Sequence, residues 1–351
     1  MCRFLIYKGK EPITLNNLLT KPQHSIINQS YDSRLRIDAQ PVNGDGFGVG
    51  YYIPNDNEDN SPCLYKAITP AWNNLNLQRI SEKTKSKLIF AHVRASTYGV
   101  LSETNCHPFT YKNIMFMHNG GISNFNKIKL KLINFIDEEF FLQIKGSTDS
   151  ECCFALFLHC LKTNGFDVDS GEVCDIDILR KSLVDTIQNI KNWVKDFKGE
   201  PSLLNFAVTD GENIVVSKYV NSKVDEAASL YFSTGSNFVE FAPGMFKMER
   251  MNKNQNLVMI ASEPLTFERN DWLSVPTNST ISIRNLNVLL HPIIDEYYID
   301  DQSSARSNHY ASSQGMIGSY PTAQDTFNDV PPLEREGRAI PSRQASLSTV
   351  N

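Results

Sequence analysis

The sequence predicts an α+β sandwich, because it combines many short strands, one clear hairpin and long helices grouped in the middle of the chain. Strands are indicated by short runs rich in β-branched or aromatic residues. The strand candidates are Arg3–Tyr7, Phe47–Ile53, Lys87–Arg94, Ile114–His118, Leu203–Thr209, Ile214–Tyr219, Leu230–Thr234, Asn256–Ala261 and Thr280–Leu289. Asp210-Gly211 joins two of them across a tight turn, a strong hairpin signal, so antiparallel sheets are expected rather than a parallel α/β sheet.

The helices are predicted from apolar residues spaced three or four positions apart. The helix candidates are Leu77–Lys85, Lys127–Ile144, Ser150–Lys162 and Ile178–Phe197. The last of these carries Leu179, Leu183, Ile187, Ile190 and Val194 at that spacing. One face of each helix is therefore expected to cover a sheet.

Composition indicates one globular domain followed by a tail. The chain has 351 residues, of which 41% are hydrophobic and 21% charged, enough to bury a large core. Apolar runs alternate with amphipathic segments over residues 2–292, which we interpret as one domain. Residues 302–351 carry scattered Ser, Pro, Gln and Arg with isolated apolar residues, so they are predicted to form a flexible, disordered tail. No second globular domain is expected after residue 292.

The net charge and the cysteine content indicate which classes of partner and which cellular compartment are expected. The net charge of -5 leaves no basic surplus to neutralise phosphates, so neither nucleic acid nor a membrane is expected as a partner. Charged residues between Arg3 and Glu11 interrupt the first apolar residues, unlike an export signal, and Cys152–Leu161 is about half the length of a membrane span. The seven cysteines include no C-x-x-C pair. A cytoplasmic, reducing environment is expected.

Cys2 is the first candidate for catalysis. Aminopeptidases remove the initiator Met1 when the next residue is small, and we expect this to make Cys2 the terminus of the mature chain. A terminal cysteine combines a thiol nucleophile with an α-amine, of pKa about 8, that can accept the thiol proton directly or through a water. A cysteine also occurs at position 2 by chance, so Cys2 alone does not decide between these interpretations.

Two strand ends supply further candidates. Arg94 closes a strand, where a guanidinium can hold a carboxylate through two parallel hydrogen bonds. Asn119 and Gly120 close another strand, and a glycine turn there can direct the Asn119 amide and the Gly120 N–H at one oxyanion. Taken singly, Arg94 would be a surface ion-pair partner, and Asn119-Gly120-Gly121 would be an ordinary turn.

A helix start gives the last candidate. Thr148 and Glu151 have the spacing of a capping box ahead of an apolar helical run, which is a sufficient structural explanation for both. Asp149 lies between them, where its carboxylate could also meet a substrate ammonium. The two interpretations are compatible.

Cofactor and metal sites are not expected. The glycines within 43–50 recur at every second position, which fits neither a dinucleotide-binding fingerprint nor a phosphate-binding loop. His92, Cys106, His107 and His118 lack the i, i+4 spacing of a helical metal motif. A catalytic pair of Cys106 and His107 is also disfavoured, because neighbouring strand residues point to opposite faces.

Taken in order, these motifs resemble the class II glutamine amidotransferases, which are N-terminal-nucleophile hydrolases. The order of the motifs makes the resemblance specific. The motifs are Met1-Cys2-Arg3, Asp45-Gly46-Phe47-Gly48-Val49-Gly50, His92-Val93-Arg94-Ala95-Ser96-Thr97, Asn105-Cys106-His107-Pro108, His118-Asn119-Gly120, Ser147-Thr148-Asp149 and Ala261-Ser262-Glu263-Pro264-Leu265. The resemblance implies a four-layer αββα sandwich, with two mainly antiparallel sheets between helix layers.

The resemblance also implies roles for single residues. The implied roles are nucleophile for Cys2, oxyanion hole for Asn119 and Gly120, substrate α-carboxylate binding for Arg94 and Thr97, and substrate α-ammonium binding for Asp149. Ala95, Ser96 and Tyr98 replace the Trp, Ala and His of many amidotransferases. Details of how those enzymes gate an ammonia channel therefore do not carry over.

Within the family, the chain most resembles the amidotransferase-like subunit of a complex that degrades glutathione. This implies hydrolysis of the γ-glutamyl amide bond of glutathione, releasing glutamate and Cys-Gly, with a peptidase-like protein as partner subunit. One alternative is a glutaminase that delivers ammonia to a synthase in trans, and another is a catalytically silent scaffold. Silent relatives commonly lose the terminal Cys, the oxyanion Asn or the substrate Arg, and all three are present here.

Overall fold

The computed structural model describes residues 2–33, 42–53, 60–95, 100–251, 255–300 and 306–318. By the density of its internal contacts the chain divides into two units, Met1–Ser319 and Tyr320–Asn351. All the strands and helices that the structure describes lie in the first unit.

Two antiparallel sheets form the centre of this unit. The described strands are β1 (Arg3–Thr14), β2 (Phe47–Tyr51), β3 (Cys63–Ala67), β4 (Lys85–Val93), β5 (Phe109–Tyr111), β6 (Ile114–Gly121), β7 (Leu203–Thr209), β8 (Ile214–Lys218), β9 (Tyr231–Gly235), β10 (Asn237–Ala242), β11 (Met245–Glu249), β12 (Leu257–Ala261), β13 (Leu273–Ser274), β14 (Ser279–Arg284) and β15 (Asn287–Pro292). The first sheet has the order β13-β9-β12-β1-β4-β2-β3, and the second has the order β15-β14-β8-β7-β6-β5. β10 and β11 form a separate hairpin.

Helices lie on the outer side of each sheet. The described helices are α1 (Asn16–Leu19), α2 (Ile26–Gln29), α3 (Leu75–Lys83), α4 (Phe125–Phe135), α5 (Glu138–Phe141), α6 (Asp149–Thr163), α7 (Ile176–Val194) and α8 (His309–Ser313). The first three contact β1, whereas α6 contacts β6 and α7 contacts β8 and β14. Within the described ranges, no helix combines the length and the apolar composition needed to cross a membrane.

The two sheets pack face to face through an apolar core. Phe4 and Phe90 of the first sheet belong to the same buried cluster as Met117 of the second. The neighbour of Met117, Phe116, belongs instead to the cluster that contains α6 and α7. Successive strand residues point to opposite faces, so the second sheet is apolar on both sides. The layers therefore run helix, sheet, sheet, helix, which confirms the predicted four-layer αββα sandwich.

One predicted strand is a hairpin. The segment Thr280–Leu289 was expected as a single strand, but β14 and β15 pair antiparallel with Arg284 opposite Asn287. The two residues between them, Asn285 and Leu286, both have positive φ, at 49° and 65°. Leucine rarely adopts this conformation, so the usual sequence signal for a two-residue turn is missing.

One predicted helix is broken. The segment Lys127–Ile144 was expected as one helix, but α4 ends at Phe135 and α5 begins at Glu138. Ile136 and Asp137 between them have extended backbones, with ψ of 153° and 147°. Asp137 is a residue that favours the position before a helix, which suits the restart at Glu138.

Part of the predicted tail packs against the domain. Residues 306–318 fall in the range 302–351, yet Ala311, Met316 and Ile317 are buried in a cluster with Val220 and Ala227. These isolated apolar residues find a preformed apolar surface, so composition alone underestimates how much they bury. The other residues of that range lie outside the described residues.

Candidate active site

The two sheets and α6 enclose a cavity of about 530 Å³. It opens where β1 begins, β4 ends and β6 ends, because Arg3 pairs with Val93 and these strands are antiparallel. The side chains and backbone that line it include Cys2, Arg94, His107, Gly120, Asp149, Leu203, Tyr310 and Gln314. Four of the residues predicted for the site thus share one cavity: Cys2, Arg94, Gly120 and Asp149.

The Cys2 thiol lies at the wall of this cavity. Its Sγ is 3.7 Å from the carbonyl oxygen of Ala95, to which the thiol donates. Burial raises the pKa of the Cys2 thiol, while the positive charge of Arg94 acts in the opposite direction. The thiol is therefore protonated near neutral pH, and a base is needed to form the thiolate.

Arg94 follows directly after β4 and is only 3% exposed. Its guanidinium donates to the carbonyl oxygen of Asp45 at 3.3 Å, and its backbone N–H donates to the carbonyl oxygen of Gly46 at 2.8 Å. Both contacts are to the segment ahead of β2, so that segment fixes the guanidinium against the cavity. A guanidinium at such a position can bind a carboxylate through two parallel hydrogen bonds.

Asn119 and Gly120 occupy the end of β6, but they face the cavity differently. Gly120 lines it, and a Cβ on Gly120 would lie 1.7 Å from the carbonyl oxygen of Leu203 on β7. Only glycine permits that close approach. Asn119 is buried beside the lining, and its Nδ2 donates to Ser262 Oγ at 3.0 Å. Nδ2 carries two hydrogens, so one remains for a substrate oxygen.

Asp149 is the first residue of α6. Its Oδ2 accepts from the Ile122 backbone N–H at 2.8 Å, and its Oδ1 accepts from the Ser150 backbone N–H at 2.8 Å. These bonds hold the carboxylate at the cavity wall between β6 and α6. An ionised carboxylate offers about four acceptor sites, so it retains capacity for an ammonium group.

The start of α6 differs in one respect from the predicted capping box. Thr148 Oγ1 accepts from the Glu151 backbone N–H at 3.3 Å, as predicted. The Glu151 carboxylate, however, accepts from the N–H groups of Lys145 and Gly146, at 2.9 and 2.6 Å. It therefore stabilises the loop before the cap. Thr97, the second residue predicted to bind the α-carboxylate, lies outside the described residues.

A buried ion pair fixes the start of β1, which directly follows Cys2. Arg3 Nε lies 2.7 Å from Glu263 Oε2, and both side chains are almost fully buried. His24 and Ser33 also contact the Glu263 carboxylate, at 3.1 and 2.5 Å. Burial raises the pKa of Glu263, but the charge of Arg3 and the bonds from His24 and Ser33 outweigh it and hold that pKa well below its usual range. Cys2 therefore directly precedes a firmly anchored residue, Arg3.

Three buried histidines lie behind the cavity. The rings of His92 and His107 are 4.1 Å apart between centroids, and His92 Nε2 is 3.2 Å from the His118 carbonyl oxygen. His107 lines the cavity, and within the described residues neither of its ring nitrogens has a hydrogen-bond partner. Burial lowers the pKa of all three, that of His92 to about 3. The cluster is therefore uncharged at neutral pH.

Cys106 lies apart from this arrangement. Its buried thiol donates to the carbonyl oxygens of Ala67 and Ser102, at 3.7 and 3.6 Å. His107 lines the cavity instead. The two side chains have different surroundings, as expected for neighbours in an extended segment. Among the described residues, no group of His, Cys, Asp or Glu is arranged to hold a metal ion.

Comparison with known proteins identifies the family. Residues 29–296 match the model of the class II glutamine amidotransferases. The chain is also 60% identical to the probable glutamine amidotransferase DUG3 of Saccharomyces cerevisiae, over 97% of this chain and 98% of that protein. The chain belongs to the class II glutamine amidotransferases.

Other proteins are similar to this chain at lower sequence identity. A γ-glutamyl-hercynylcysteine sulfoxide hydrolase of Mycobacterium tuberculosis is 29% identical over 121 residues, which cover 34% of this chain and 49% of that protein. A class II domain protein from Silicibacter pomeroyi has a solved structure that matches with a TM-score of 0.54 and 21% identity, over 84% of this chain and all of that one. The structural match shows a shared fold.

Some residues at the site of this class II amidotransferase were not predicted from the sequence as site residues. Glu263 and Ser262 were noted only as part of a closing strand, yet Ser262 Oγ accepts from both Asn119 Nδ2 and the Phe4 N–H. Tyr310 and Gln314 fell in the predicted tail but line the cavity. The partners of these residues are more than 100 positions distant or come from separate elements, so local patterns carry no signal for them.

Proposed function

We propose that this class II amidotransferase hydrolyses the γ-glutamyl amide bond of glutathione, releasing glutamate and Cys-Gly. The observation that supports this most is that Cys2, Arg94, Gly120 and Asp149 line one cavity. The guanidinium and the carboxylate match the two charges of a γ-glutamyl group. The cavity of about 530 Å³ lies within the roughly 300–1,000 Å³ that enclose ligands of drug size, so space remains beyond the glutamyl part.

The proposed reaction uses Cys2 as the residue exposed by removal of Met1. Its α-amine takes the thiol proton, directly or through a water, and the thiolate attacks the γ-carbonyl carbon. The oxyanion accepts hydrogen bonds from the Asn119 amide and the Gly120 N–H. The C–N bond breaks, and the leaving amine takes the proton held by the α-amine. Water then attacks the thioester, which releases glutamate and restores the thiol.

The raised pKa of the Cys2 thiol explains why a base is needed at the site. The three histidines beside the cavity all have lowered pKa values, and within the described residues the Cys2 sulfur hydrogen-bonds to the Ala95 carbonyl oxygen and to none of the three. An α-amine on the same residue supplies the base without a further side chain. This fits a nucleophile whose sulfur contacts a backbone carbonyl oxygen rather than an imidazole.

We also propose a peptidase-like partner subunit and a cytoplasmic location. The partner is proposed from the motif resemblance to glutathione-degrading complexes. The location fits the seven cysteines, which are all free, because thiols persist in a reducing compartment.

The test is release of glutamate from glutathione, glutamine and a γ-glutamyl anilide, with and without a co-expressed peptidase-like subunit. The full-length chain is used after mass spectrometry has verified loss of Met1. We expect glutathione hydrolysis, and we expect Cys2→Ala to lower it by about three decades or more, since the nucleophile is lost. Cys63→Ala is the matched control, because Cys63 is an exposed cysteine on β3.

Each alternative has its own outcome in this test. Hydrolysis of glutamine but not glutathione would favour a glutaminase that supplies ammonia in trans. No hydrolysis of any γ-glutamyl compound, with the partner present, would favour a silent scaffold. Equal loss in Cys2→Ala and Cys63→Ala would contradict the assignment of Cys2.

A further inference from the structure

Residues 306–318, called here the C-terminal segment, follow the region that matches the family, which ends at residue 296. The segment is fixed to the loop that precedes β9. The Ser307 N–H donates to the carbonyl oxygen of Val224 at 2.7 Å, and the Ser229 N–H donates to the carbonyl oxygen of Met316 at 2.8 Å. Backbone bonds near both ends therefore set its position against the domain.

The buried side of the C-terminal segment reaches the wall of the active-site cavity. Ala311, Met316 and Ile317 pack in one cluster with Leu203. Leu203 pairs with Gly121 in the second sheet, its carbonyl oxygen lies against Gly120, and Leu203 itself lines the cavity. The segment is thus packed against a residue whose carbonyl oxygen adjoins Gly120 of the proposed oxyanion hole.

The other side of the C-terminal segment faces into the cavity. Tyr310 and Gln314 are four positions apart around α8, so they share a face, and both line the cavity together with Cys2 and Asp149. Both are half-buried. Within the described residues the Tyr310 hydroxyl has no hydrogen-bond partner, and Gln314 Nε2 contacts only Ser313 Oγ, at 3.5 Å. Two side chains with spare polar atoms therefore face the substrate space.

The chemistry of these two residues suits the part of the substrate beyond the scissile bond. Arg94 and Asp149 account for the charged groups of the γ-glutamyl end. A peptide leaving group has amide N–H and C=O groups, which a tyrosine hydroxyl and a glutamine amide can pair with as donor or acceptor. Ammonia, the leaving group of glutamine, has neither a peptide N–H nor a carbonyl group to pair with them.

We infer that Tyr310 and Gln314 form a subsite for the leaving group, which favours γ-glutamyl compounds whose leaving group is a peptide over glutamine. The inference rests on the proposed function, since it concerns the specificity of the same reaction. It assigns the C-terminal segment a role in substrate selection that the family domain alone does not supply.

The test compares kcat/KM for glutathione and glutamine in Tyr310→Phe, Tyr310→Ala and Gln314→Ala. We expect kcat/KM for glutathione to fall about tenfold relative to that for glutamine, because a site that pairs with a substrate amide loses discrimination when the pairing group is removed. The control is His309→Ala, an exposed residue of α8 outside the cavity, which should leave the ratio unchanged. Tyr310→Phe keeps the ring, and a thermal melt verifies folding of each variant.

A binding measurement separates this inference from the proposed function. In a Cys2→Ala background, calorimetry should show glutathione bound about tenfold more weakly after Gln314→Ala, with glutamine affected less. If the wild type hydrolyses glutathione but the ratio and the affinities do not change, the subsite is wrong and the proposed function stands. A parallel loss for both substrates would indicate a structural role and also overturn the subsite. If glutathione is neither bound nor hydrolysed, both proposals fail.

Discussion

A single serine connects the proposed oxyanion donor to the strand that follows the proposed nucleophile. Ser262 Oγ accepts from Asn119 Nδ2 at 3.0 Å and from the Phe4 N–H at 3.1 Å. Phe4 is two positions from Cys2, so one hydroxyl sets the relative position of donor and nucleophile. Fixing a donor before the reaction avoids the cost of reorienting it in the transition state.

Asn119→Ala should lower kcat for glutathione by two decades or more. Loss of one oxyanion donor costs about 3 kcal/mol of transition-state stabilisation, and this loss appears in kcat because the oxyanion is absent from the bound substrate. Steady-state kinetics and a thermal melt would separate catalysis from folding. Near-normal kcat in a folded variant would refute the assignment of Asn119.

At the scale of the elements, the two sheets meet beside the cavity through polar groups. His92 lies on β4 and His118 on β6, and His92 Nε2 is 3.2 Å from the His118 carbonyl oxygen. His118 in turn contacts Ser150 Oγ of α6 at 2.9 Å through Nδ1. Strands from both sheets and the helix that carries Asp149 are thereby joined at the site.

This junction should make stability fall at acid pH. Burial lowers the pKa of His92 to about 3, whereas an unfolded histidine has a pKa near 6.5. Below about pH 6.5 the unfolded chain binds a proton that the native chain does not, so the stability present above that pH is lost progressively down to about pH 3. The slope is about 1.4 kcal/mol per pH unit for each such histidine.

Urea unfolding of the wild type and His92→Gln at pH 7, 6, 5 and 4 would measure this effect. We expect the slope of the unfolding free energy against pH to be smaller in the variant, by about the contribution of one histidine. Equal slopes in the two proteins would show that His92 is not the titrating group.

Local patterns identified most strands of the two sheets, but they missed several short strands and joined α4 and α5 into one helix. Leu203–Thr209 was predicted with its observed bounds, and the Asp210-Gly211 turn joins β7 to β8 as expected. Short strands such as β3 and β5 were missed, because they are defined by pairing with distant strands and have little pattern of their own.

The site likewise combines residues that local motifs predict with long-range contacts that they do not predict. Cys2, Arg94, Gly120 and Asp149 were predicted because they occur in ordered motifs, and the structure places them at one cavity. The anchoring of Cys2 was not predictable, since Arg3 and Glu263 are 260 positions apart in the sequence. Long-range contacts of this kind leave no periodic signal.

On the scale of the whole molecule, the C-terminal segment completes a surface that the domain leaves apolar. Met316 and Ile317 are buried against Val220, Ala227 and Ala228. Arg306 adds hydrogen bonds from its guanidinium to backbone carbonyl oxygens, among them that of Tyr297 at 2.8 Å. Without the segment these groups would face water.

The stability of a truncated chain should therefore depend on whether the C-terminal segment is kept. A chain that ends at Gly318 keeps the cluster and is the reference for the comparison. A chain that ends at Asp300 loses two large buried side chains, worth roughly 1.5–3 kcal/mol each, so its unfolding free energy should fall by about 3–6 kcal/mol. Denaturant unfolding of both would measure the difference, and equal stability would contradict the packing role of the segment.

The position of β1 has a consequence for how the protein is made. β1 lies inside the first sheet, between β4 and β12, and β12 begins only at Leu257. At roughly 5–20 residues per second, the ribosome delivers β12 on the order of ten seconds or more after β1 has emerged. For that interval an apolar strand has one edge without its neighbour, so the nascent chain depends on protection of that edge until β12 has emerged.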